Sequence, residues 1–76
     1  MPTADVVREK AVSLAEGNTA TEEAVRELLE SCHDKRVPVV LARQQLLKDL
    51  ETSASDPVVS RAAELLDLVL DRLPPA

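Results

Sequence analysis

Seventy-six residues with 14 acidic and nine basic side chains carry a formal net charge of −5 at pH 7 and a pI near 4.7, a balance that opposes non-specific attraction to nucleic acid. The length allows one small domain, of a size that buries only about 60% of the surface its unfolded chain exposes. Without Phe, Tyr or Trp the core has to be built from Leu, Val and Ala, and small cores of this kind often gain stability by dimerising.

Four segments repeat their apolar residues at helical spacing, and none alternates as a strand does. The first is expected over residues 4–16. Thr3 supplies the N-cap, Asp5 sits in the first turn, and Val7, Ala11, Leu14 and Ala15 form a narrow face that allows close approach to a neighbour. Gly17-Asn18 ends it, because both residues tolerate the left-handed conformation that closes helices. Gly17 is the only glycine, so a Gly-rich phosphate loop is excluded.

A second helix is expected over residues 20–33. Thr19 followed by Glu22 reads as a capping box, and Ala24, Val25, Leu28, Leu29 and Cys32 line one face. On the other face, Glu22 to Arg26 and Arg26 to Glu30 have the spacing of i,i+4 ion pairs. The polar run His33 to Arg36 reads as a connection.

The third helix is expected over residues 38–51, with Pro38 in its first turn, where the missing N–H would be unpaired anyway. Its apolar face, Val39, Val40, Leu46, Leu47 and Leu50, is interrupted by Arg43, and Leu41 points away from it. Residues 51–55, ETSAS, form a turn. The fourth helix, residues 57–73, opens with Asp56 as N-cap and Pro57 at N1. Nine apolar residues, from Val58 and Val59 through Ala62, Ala63, Leu65, Leu66, Val69 and Leu70 to Leu73, share an arc of roughly 160°. That width marks it as the helix against which most of the others lie. Leu73-Pro74-Pro75 stops it. Short connections favour neighbours packed antiparallel, and the fold class expected is an all-α, compact antiparallel bundle of four short helices in one domain, residues 1–76.

Cys32-His33-Asp34 holds the letters of a catalytic triad, but triad members meet across a fold, not along three adjacent residues. Cys32 lies on the apolar face at a helix C-terminus, where the dipole disfavours thiolate, so it reads as a core residue. A single Cys and a single His fall short of the three or four protein ligands of a zinc site. His33 reads as a helix-end residue. Glu64, Asp67 and Asp71 share the outer face of the fourth helix with Ser60 beside them, and without a cleft or a calcium-type loop they read as a solvated strip. No catalytic residue, metal ligand or cofactor is expected. The charged N-terminus, MPTADVVREKAV, lacks the apolar run of a signal peptide, no stretch approaches the ~18 uncharged residues of a membrane span, and the lone cysteine suits a reducing compartment. A cytoplasmic protein without membrane contact is therefore expected, one that begins at Met1 and ends in a frayed tail as a whole chain does. Six of the nine basic residues are Arg, a balance common in high-GC bacterial genomes.

Protein binding accounts best for the residues that break the pattern. Leu41 faces away from its helix's apolar arc, and Leu68 stands among charges on the polar side of the fourth helix. Together with Arg43, Glu64 and Arg72 they form the expected contact surface, an apolar patch rimmed by charge if Leu41 and Leu68 approach one another. The partner is a protein that the sequence does not name, with self-association into a homodimer as the companion expectation. An acidic neutralising protein of the antitoxin or immunity type is the alternative, with Glu22, Glu23, Glu27 and Glu30 as its working face. Such a protein should present one continuous acidic surface. A helix-turn-helix using the second and third helices, with Gln44, Gln45 and Lys48 toward bases and Lys35 and Arg36 toward phosphate, is disfavoured by Glu27, Glu30 and Asp49. DPVVSRAA is similar to the opening of the second helix of a HEAT repeat, with Arg61 offset by one from that family's arginine. Eight residues make no array. Acyl carrier proteins match in size and acidity, but their Asp-Ser-Leu motif is absent, and Ser13-Leu14 falls inside the first helix.

Overall fold

The computed structural model describes residues 3–52 and 56–74, and every regular element among them is a helix: α1 (Ala4–Glu16), α2 (Thr21–Cys32), α3 (Arg36–Thr52) and α4 (Pro57–Arg72). The chain is an all-α bundle. Residues 53–55, where part of the ETSAS turn was expected, lie outside the described residues, as do residues 1–2 and 75–76.

Two helices start on the caps that the sequence specifies. Thr3 Oγ1 accepts from the Val6 N–H at 3.2 Å, and the Asp56 carboxylate accepts from Val58 and Val59 N–H at 3.0 and 3.4 Å, satisfying donors that have no partner inside the helix. The start of α2 differs. Its N-cap is Ala20, without a side-chain hydrogen bond, and Thr19 does not close a capping box because the end of α1 holds it. Asn18 is left-handed with φ 52°. Its N–H donates to the Ala15 carbonyl, and the Thr19 N–H donates to that of Leu14, the two bonds of a Schellman motif. Gly17 stays at φ −82°, so the left-handed residue is the asparagine and not the glycine. Cys32 to Asp34 repeat this ending: His33 has φ 51°, its N–H donates to Glu30, and the Asp34 N–H donates to Leu29.

Packing sorts the helices into a central pair and two flanks. Both α1 and α4 touch all three other helices, while α2 and α3 barely meet although only three residues join them. Chain neighbours therefore pack side by side for α1–α2 and α3–α4 but not for α2–α3. In α4 the predicted face lies inward: Leu65, Leu66 and Val69 are fully buried, and Val58, Val59 and Leu70 pack half-buried at its edges. Val7 and Ala11 of α1 and Val25, Leu28 and Cys32 of α2 meet them.

The third helix is rotated from its expected setting. It begins two residues before Pro38, which still falls in the first turn, and its buried residues are Pro38, Val39, Ala42 and Leu46. The small Ala42 side chain lets a neighbouring backbone approach, so this side turns inward, Leu47 turns out, and Arg43 moves from the middle of the apolar arc to its margin. Arg36 supports this placement: its Nη1 donates to the Leu70 carbonyl at 3.3 Å, close to the C-terminal end of α4, where carbonyls carry partial negative charge and the Leu70 oxygen also accepts from the Leu73 N–H at 3.3 Å.

Candidate interaction surface

Each edge of α4's outer face is held by polar links to a neighbouring helix. On the α3 side, Arg43 Nε lies 3.0 Å from Asp67 Oδ1. On the α2 side, Arg61 Nη2 donates to Thr21 Oγ1 at 2.6 Å, and Arg72 Nη2 lies 3.2 Å from Glu22 Oε1. Glu64 and Leu68 occupy the strip between these edges, with Glu64 also 3.6 Å from Arg61. All of these pairs are substantially exposed, so each adds at most about 1 kcal/mol. They set side-chain direction more than stability.

Between α3 and α4 runs an open groove of about 180 Å³, lined by Arg43, Leu47 and Leu50 on one wall and Ser60, Ala63, Glu64 and Asp67 on the other. Arg43 and Glu64, both expected at a contact surface, thus share one feature. Arg72 does not join them, because it reaches the opposite edge, and Leu68 stands on the open strip. Leu41 lies about 160° around α3 from Arg43 by helix geometry, on the side of α3 away from the groove. The expected patch is therefore two surfaces that meet along α3. A second concavity, of about 430 Å³, is lined by Arg8, Glu9, Val12, Ser13 and Glu16 of α1 alone and brings no groups from different elements together.

Among the described residues five large apolar side chains are exposed, and four of them lie on α3 or α4: Val37 at 67%, Leu41 at 45%, Leu47 at 39% and Leu68 at 38%. No family model, curated protein or solved structure matches this chain. The surface has to be read from its own chemistry.

Val37, the most exposed of these residues, falls between the expected connection, His33 to Arg36, and the expected helix start at Pro38, and so belongs to neither in the sequence. Leu47 was assigned to the core. Spacing held the signal: Val37, Val40, Gln44, Leu47 and Glu51 follow one another at intervals of three and four residues. The acidic face of α2 is interrupted, since Glu22 pairs with Arg72 and Glu27 lies 3.3 Å from Lys10 Nζ. Cys32 is buried, its thiol directed at the Leu29 carbonyl at 3.4 Å. Among the described residues no three His, Cys, Asp or Glu side chains cluster as metal ligands, and no helix is long and apolar enough to cross a membrane.

Proposed function

We propose that the chain is a non-catalytic protein-binding module whose working surface is the outer side of α3, continued across the groove onto Glu64 and Leu68 of α4. The observation that supports this is the concentration of exposed apolar side chains there: Val37, Leu41, Leu47 and Leu68 lie on two adjoining helices among Arg43, Lys48, Glu64 and Asp67. Exposed apolar groups rimmed by charge mark contact surfaces, whereas isolated exposed leucines need no explanation.

The neutralising alternative has less support. Its four glutamates do not form a continuous acidic face, because α1 and α4 place Lys10 and Arg72 among them. DNA reading by a helix-turn-helix relies on the first helix bracing the second, and here α2 and α3 hardly touch.

The test is site-specific photo-crosslinking in the native host extract. A photoreactive residue at the exposed position Gln44 is expected to give discrete protein adducts, and one at Glu23 on α2 is expected to give none. Adducts from Glu23 with none from Gln44 would transfer the function to the acidic helix.

A further inference from the structure

Deepening that reading, and resting on it, we infer that the outer side of α3 binds a second copy of this chain, with the two α3 helices antiparallel. Val37, Val40, Gln44, Leu47 and Glu51 follow one another at the three-and-four spacing of a/d positions, with Val37, Val40 and Leu47 apolar and the amide of Gln44 at the centre. Leu41 and Lys48 flank them. These residues fall within an arc of about 120° that lies opposite Pro38, Val39, Ala42 and Leu46. One side of α3 completes the core, and the other is a second seam that the monomer leaves largely open, with Val40 half-buried and Leu47 also on the groove wall facing α4.

Charge identifies the occupant. Alone among the four helices, α3 is charged against its own dipole at both ends. Lys35 and Arg36 stand at its N-terminus and Asp49 and Glu51 in its last turn, with no acidic residue in the first turn and no basic one in the last. By contrast, α1 and α2 carry acids in their first turns and α4 ends on Arg72. Reversed ends are unfavourable within one helix, yet they complement an antiparallel copy of the same helix. With Gln44 at the two-fold axis, Glu51 comes level with Val37 of the other copy and within reach of its exposed Lys35, Leu47 comes beside Val40 and Leu41, and the two Gln44 amides face one another. A parallel arrangement would instead set Glu51 against Glu51 and Lys35 against Lys35. Among the described residues, Lys35, Lys48, Asp49 and Glu51 take no part in the ion pairs of the monomer. A single pairing of 17-residue helices, about 25 Å long, sits at the small end of specific interfaces, so the dimer is weak and forms in the micromolar range.

Sedimentation equilibrium with interference optics, needed because the chain has no Trp or Tyr, tests this from about 5 μM to 1 mM. The wild-type chain is expected to move from monomer to dimer within that range, and Leu41→Glu to remain monomeric. Glu51→Lys should weaken the dimer about tenfold by setting like charges together at both ends. At the same time it should raise the melting temperature of the dilute monomer, since lysine in the last turn suits the dipole. Adding Lys35→Glu restores attraction in the antiparallel pair, so the double variant should recover most of the lost affinity. A wild-type chain that stays monomeric to 1 mM overturns the dimer, while discrete adducts to another protein from Gln44 would leave the interaction reading standing. A dimer indifferent to Glu51→Lys, or one that the second charge reversal fails to rescue, overturns the antiparallel α3 interface.

Discussion

Leu65 and Leu68, three residues apart on α4, separate the packed side of the bundle from its open side. Leu65 is fully buried and Leu68 is 38% exposed. Replacing Leu65 by Ala removes buried methyl and methylene groups and leaves a cavity, at a cost of about 3 kcal/mol. A chain of this length has a total stability of roughly 4–11 kcal/mol, and each kcal/mol shifts the melting temperature of a small domain by about 4–8 °C. Leu65→Ala should therefore melt about 12–24 °C below wild type. Full burial of a leucine contributes roughly 2 kcal/mol, so the covered part of Leu68 accounts for about 1 kcal/mol, and the higher helix propensity of Ala offsets some of this loss. Urea and thermal unfolding followed by far-UV circular dichroism, in chains that also carry Leu41→Glu so that self-association contributes nothing, measure both variants. Equal losses at the two positions would refute the assignment of an open face to α4, because Leu68 would then have to be covered in the monomer.

Other substitutions examine the local structure. Gly17→Ala should stabilise the chain by about 0.5–1 kcal/mol, since Gly17 has an ordinary φ of −82° and an added Cβ would come no closer than 3.5 Å to the Ser13 carbonyl. Asn18→Ala should cost about 1 kcal/mol because it places a Cβ residue without a compensating side chain in the left-handed region; thermal melts of the two variants should therefore shift in opposite directions. Asp56→Ala removes the cap of α4 and should lower unfolding free energy in urea by about 1 kcal/mol. The Cys32 thiol, buried in the core, should react with an aromatic disulfide reagent only as fast as the fold opens, with a rate that climbs steeply with urea. Immediate labelling in native buffer would contradict its placement.

Three of the four helices were legible in face as well as in type. In α1, α2 and α4 the apolar residues form one stripe with charge opposite it, so spacing alone identifies the inward side. The starts at Thr3 and Asp56 were legible too, because each cap depends on one side chain and the next few N–H groups. At Thr19 the local pattern misled, since a Schellman ending and a capping box competed for the same residue and the ending of α1 took it. Gly17 misled in a similar way: glycine is the usual left-handed residue, but the register of α1 put Asn18 at that position. The ion pairs proposed along α2 were replaced by Glu22–Arg72 and Lys10–Glu27, links across helices that depend on how the bundle packs and leave no mark in local spacing.

The third helix was not legible in face, because it carries two apolar stripes and not one. Its core side, Pro38, Val39, Ala42 and Leu46, contains a proline and an alanine, residues that fill little volume, while Val37, Leu41 and Leu47 on its other side are large. A search for the bulkiest arc is therefore drawn to a compromise between the two, with Arg43 at its centre and Leu41 left over. Two superposed stripes produce this ambiguity wherever a helix serves one interface within its own chain and another outside it. The reversed terminal charges of α3 belong to the same explanation, because they oppose the helix that carries them and complement an antiparallel copy of it. Within the monomer, these two irregularities look like separate departures from helix design. A second α3 laid antiparallel across Gln44 accounts for both.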